Sequence, residues 1–88
     1  MTKYMIQWNE YTIQEGKELK SFMKSLPNPK VVGNDGDSTI IRCTDTFSAK
    51  NDAEAKKYVS NTYDDVETAY DVTKNGKIVF TEEDIGGD

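Results

Sequence analysis

An α+β fold is predicted by three features of the sequence. Residues 3–9, KYMIQWN, alternate with the two-residue period of a strand; Leu19, Phe22, Met23 and Leu26 recur at helical spacing; and the turn-forming clusters GNDGD and KNG each divide runs rich in Val, Ile or Phe. Together they predict the order β-α-β-β-α-β-β, a small sheet with two helices on one face.

The first strand, residues 3–9, places Tyr4, Ile6 and Trp8 on one side and Lys3, Met5, Gln7 and Asn9 on the other. The first helix is expected to begin after Gly16, which costs about 1 kcal/mol inside a helix, and to stop before Pro27 and Pro29. A hairpin follows, residues 30–33 with 38–44, because Gly33, Asn34, Asp35, Gly36 and Asp37 suit a turn while Val31, Val32, Ile40 and Ile41 suit the pleat. The second helix, over 52–62, opens on a capping box, Asn51 with Glu54, and presents Ala55, Tyr58, Val59 and Thr62 on one side. A second hairpin is expected over 65–73 and 77–81, with Val66, Tyr70 and Val72 alternating against acids and KNG as the turn. The segment TEEDIGGD has little to bury, so residues 1–81 read as one domain and 82–88 as a flexible acidic tail. This order is that of the ferredoxin-like class.

At 88 residues the chain supports one modest core, and its 35% apolar content marks a folded but polar domain. No leader-like segment and no apolar run of membrane-spanning length are present, so the expectation is a soluble, cytoplasmic monomer. The single cysteine, Cys43, has no partner for an internal disulfide and reads as a small buried hydrophobe. Residues 1–50 carry seven basic and six acidic side chains, whereas residues 51–88 carry four and ten, which accounts for the net charge of −5. Such a balance argues against wholesale binding to nucleic acid or an anionic membrane, although a local basic patch in the first half is compatible with it.

Catalytic signatures are scarce. There is no histidine, hence neither the commonest general base nor the commonest metal ligand, and one cysteine is too few for a zinc site. GNDGDS lacks the Lys-Ser or Lys-Thr pair and following helix of a phosphate loop, and Asp35 and Asp37 lack the spaced oxygens and closing Glu of a calcium loop. The expectation is a chain that is not an enzyme and uses no cofactor or metal.

Two surfaces then compete. Asp64, Asp65, Glu67 and Asp71, expected along the fourth strand, form together with the acidic tail a patch suited to a basic site on a protein partner. In the alternative, Lys17, Lys20 and Lys24 line one side of the first helix, Lys30 and Arg42 extend the charge, and Tyr4 or Trp8 stacks on an unpaired base of RNA. The net charge favours the protein partner.

Two resemblances bear on this choice. KYMIQW is partly similar to the first strand of the RNA-recognition family, but STIIRCT, in the third strand, has neither the glycine nor the alternate aromatics of that family, so membership is not implied. The short, acidic, Lys-, Asp-, Asn- and Tyr-rich chain resembles the small proteins with which phages of Gram-positive bacteria redirect host components. That resemblance implies a host-cytoplasmic binding protein that acts by occupying a host protein or nucleic acid.

Overall fold

Five strands, β1 (Thr2–Thr12), β2 (Lys30–Asp35), β3 (Ser38–Ala49), β4 (Tyr70–Lys74) and β5 (Lys77–Thr81), form one antiparallel sheet in the order β2-β3-β1-β4-β5. The computed structural model describes residues 1–85. Three helices complete it, α1 (Gly16–Lys24), α2 (Asp52–Thr62) and the short α3 (Glu82–Ile85). Because β3 is antiparallel to both β1 and β2, those two run parallel with β3 between them, and α1 is their crossover. By the same logic α2 joins β3 to β4 across β1. These are split β-α-β units, the layout expected from the element order, with β5 added at one edge.

β1 sits at the centre and its register explains the core. Tyr4 pairs with Phe47, Trp8 with Cys43 and Tyr70, and Ile6 with Val72 on its other side. Paired residues share a face of the sheet, so Tyr4, Ile6, Trp8, Cys43, Phe47, Tyr70 and Val72 all point toward the helices and are buried. Ala55, Val59 and Tyr63 close this core from α2. The expected core role of Tyr4, Ile6 and Trp8 is therefore found, at 1%, 0% and 6% exposure.

The second helix matches its expected span. The Asn51 side chain accepts a hydrogen bond from the Glu54 backbone N–H at 2.9 Å, the cap that the sequence predicts. Of the four residues expected on its inner side, Ala55 and Val59 are buried; Thr62 is exposed, and Tyr58 lies at the margin, stacked on Phe47 with ring centroids 4.7 Å apart. The Asn75-Gly76 turn between β4 and β5 has positive φ at both residues, the conformation that an Asn-Gly hairpin adopts.

Other boundaries differ from expectation. β1 extends to Thr12 and β3 to Ala49, since Phe47 and Ala49 continue the two-residue alternation past Thr44. The first helix includes Gly16, at φ +58°, as its first residue, and none of its side chains is fully buried: Leu19, Phe22 and Met23, with Leu26 beyond it, are half-buried against the core. β4 starts at Tyr70, so the expected strand over 65–73 is shorter. Residues 63–69 turn instead: the Val66 N–H donates to the Tyr63 carbonyl at 3.1 Å, and the Thr68 hydroxyl donates to the Asn9 carbonyl at 2.7 Å.

Of the segment expected as a flexible tail, Glu82–Ile85 is a helical turn. The Asp84 carboxylate accepts the Thr81 N–H at 2.8 Å and Ile85 packs on the core, which gives this turn the anchors that TEEDI does not advertise. The rest of that segment, 86–88, lies outside the described residues.

Candidate functional site

A groove of about 590 Å³ opens where the end of α2, the 63–69 turn and α3 meet. Its floor is apolar: Val59, Tyr63, Val66, Tyr70 and Ile85. Its rim is acidic, with Asp64 from the turn and Glu82 and Glu83 from α3. A second groove of about 260 Å³ continues it toward the end of α1, sharing Tyr63 and Val66 and adding Trp8, Leu26, Glu10 and Asp65.

Local folding fixes most of these groups. Tyr63 ends α2 and donates its hydroxyl hydrogen to Asp45 Oδ2 at 2.7 Å, while its ring packs 5.6 Å from that of Trp8. Burial first, and then this hydrogen bond, push the Tyr63 phenol well above its ordinary value. Trp8 Nε1 donates to Glu10 at 2.7 Å, which satisfies the indole at the edge of the second groove. Glu82 accepts the Tyr70 backbone N–H at 3.2 Å, and burial followed by the Glu82 charge raises the Tyr70 phenol. The floor therefore presents neutral tyrosines at neutral pH beneath a rim of carboxylates.

Among the described residues no Lys or Arg forms an ion pair with a rim carboxylate. The one ion pair among the described residues joins Lys74 to Asp52 at 3.4 Å, at the other end of α2, where the Tyr4 hydroxyl also donates to Asp52 at 2.8 Å. Asp64, Glu82 and Glu83 thus place acidic side chains at the edge of an apolar floor, a combination that favours a ligand with both cationic and apolar parts.

The residues singled out by sequence are redistributed. Asp64 and Asp65 lie at the two grooves and Glu67 in the same turn, off the strand on which they were expected. Asp71 is separated from them: paired with Gln7, it points to the opposite, uncovered side of the sheet. The acidic patch is consequently three residues of a turn joined by Glu82 and Glu83, which belong to the segment expected as an acidic tail but sit on a helical turn.

The basic set divides as well. Lys17, Lys20 and Lys24 are exposed on α1, on the helical side, whereas Lys30 and Arg42 pair with each other on the uncovered side. Tyr4 and Trp8 cannot stack on a base from where they are, since both are buried beneath the helices. The RNA surface as expected from sequence, with helix lysines beside strand aromatics, is not assembled by the fold.

No group of three or more potential metal-ligating side chains converges among the described residues. No helix among them is long and apolar enough to cross a membrane. No family model matches the chain, and neither curated proteins nor solved structures provide a match.

Proposed function

We propose that this chain is a non-enzymatic binding module that regulates a protein partner by occupying it. The observation that carries this reading is the groove of about 590 Å³ between α2 and α3, apolar at its floor and acidic at its rim. A partner segment bearing Lys or Arg beside a large apolar side chain meets both demands: the apolar group is removed from water on Tyr63, Val66 and Ile85, and the cation meets Asp64 and Glu83. The mode of action accords with the host-directed phage proteins that the composition resembles.

The test is titration of ¹⁵N-labelled protein with cationic amphipathic peptides, and with acidic peptides of the same apolar content. Shifts confined to Val59, Tyr63, Val66 and Ile85 with cationic peptides alone are expected, with loss in an Asp64→Lys, Glu83→Lys variant. Equal shifts with acidic peptides, or full retention in the double variant, would exclude the groove as the binding surface. Pull-down from a cell lysate with and without nuclease then separates a protein partner from one bridged by nucleic acid.

A further inference from the structure

The side of the sheet opposite the helices carries a different chemistry, and the strand register fixes which residues meet there. Three neighbouring rows cross it: Tyr11 with Ile40 and Gly33, Asn9 with Arg42 and Lys30, and Gln7 with Thr44 and Asp71. Rows two residues apart along β1 lie about 7 Å from one another.

Each row contributes a distinct property. Tyr11 is 49% exposed, the one aromatic on this side among the described residues, and its row ends at Gly33, where an added Cβ would meet nothing within 4 Å. The surface therefore stays open over Gly33, at the end of the row that carries Tyr11 and Ile40. The next row supplies two exposed cations, Arg42 and Lys30. Between the second and third rows lies a polar notch of about 100 Å³ lined by Gln7, Asn9, Arg42 and Asp71. Gln7 Nε2 donates to Thr44 Oγ1 at 3.1 Å and Arg42 Nε donates to Asn9 Oδ1 at 3.5 Å, contacts that hold these side chains across the strands. Arg42 so commits one of its five donors, and Asp71 brings a carboxylate acceptor.

Cations outnumber acids among the charged strand residues that the register places on this side. Lys3, Lys30 and Arg42 stand on this side against Asp71 and, at the hairpin tip, Asp35, in a chain whose net charge is −5. Screening limits the reach of the remote carboxylates to about 10 Å, so a ligand on this side responds mainly to the local cations.

We propose that this uncovered face binds single-stranded RNA, with one base stacked on Tyr11, the backbone phosphates on Arg42 and Lys30, and an adjoining base edge or 2′-hydroxyl in the notch. The assignment goes beyond the protein-binding groove and is independent of it. Stacking requires an unpaired base, which favours a single strand over a duplex. The notch offers donors and acceptors together, the complement of a base edge, and its amides suit the 2′-hydroxyl that distinguishes RNA from DNA. Met5 and Ile78, exposed apolar side chains of this face, lie toward its other end, away from the rows of Tyr11 and Arg42.

The experiment is fluorescence anisotropy of a labelled, mixed-sequence 12-nucleotide RNA, titrated with the full chain at 50 and 200 mM salt. DNA of the same sequence and the duplex RNA are run alongside. Tyr11→Ala is expected to weaken binding at least fivefold, and Arg42→Glu to weaken it further and flatten the salt dependence. A Lys20→Glu, Lys24→Glu variant, altered on the helical side, is expected to stay within twofold of the parent, as is Asp64→Lys at the groove. Lys30→Glu, at an exposed position of β2, provides a second variant if the melting temperature of Tyr11→Ala differs from the parent. Absence of binding at 200 μM protein, equal binding by Tyr11→Ala and Arg42→Glu, or preference for DNA or duplex overturns the assignment.

Discussion

The Tyr63 hydroxyl, at the end of α2, is hydrogen-bonded to Asp45 Oδ2 in the middle of β3 at 2.7 Å. This contact ties the helix that forms the groove floor to the strand beneath it. Tyr63→Phe is expected to lower the unfolding free energy by about 1–2 kcal/mol, because Asp45 is half-buried and loses a donor. The measurement is the urea midpoint at constant m-value; a change below about 0.3 kcal/mol would show that water replaces the phenol without loss.

Cys43 predicts an alkaline limit to stability. Burial first, and the Glu10 charge second, raise its thiol from 9.0 to about 11. The unfolded thiol releases its proton near pH 9 while the folded one holds it, so this contribution is full below pH 9 and is lost as pH rises through 11. Tyr63 and Tyr70, also raised, act in the same direction above pH 10. Melting temperatures across pH 8–11 should decline, less steeply in Cys43→Ala than in the parent after normalisation at pH 8. A native thiol that reacts with a disulfide reagent at pH 8 as fast as the urea-unfolded one would contradict this account of Cys43.

Asn51→Ala removes the acceptor for the Glu54 N–H and should cost about 1 kcal/mol. For a domain of this size that is roughly 4–8 °C in melting temperature. Asn51→Asp preserves the acceptor and should recover most of the loss; an equal loss in both variants would assign the effect to something other than the cap.

The two longer helices should differ in local stability. Val59, on α2, is 1% exposed, whereas α1 buries no residue completely. Val59→Ala leaves a cavity and Phe22→Ala largely opens to water, so the fraction of buried surface lost is smaller at Phe22 than the larger side chain implies. Amide hydrogen exchange is the direct check: protection in α1 is expected to fall short of that in α2 and the β1–β3 ladder. Equal protection throughout would show that α1 opens only with the whole domain.

The fold was legible where one physical signal was unopposed. The alternation in KYMIQWN set β1, the Asn51–Glu54 box set the start of α2, and Asn75-Gly76 set the last hairpin. The acidic site was legible only in part. Asp64, Asp65 and Glu67 flank Val66, and that alternation resembles a half-buried strand, yet the chain closes a turn at Tyr63 and Val66 and anchors Thr68 to Asn9. Glu82 and Glu83 were expected to contribute only as part of a flexible tail, because their fixed position depends on Asp84 and Ile85 folding TEEDI onto the core. Tyr11 was overlooked for a related reason. Its exposure follows from one residue of parity in a strand that extends beyond residue 9.

The central position of β1 sets the order of events during synthesis. Trp8 awaits Cys43, and Ile6 awaits Val72, 66 positions later in the chain. Until that segment leaves the ribosome, the strand that organises the sheet has only one of its neighbours and shows Tyr4, Ile6 and Trp8 to water or to a chaperone. Enclosure of β1 consequently depends on pairing between segments far apart in the chain, the kind of contact that forms slowly.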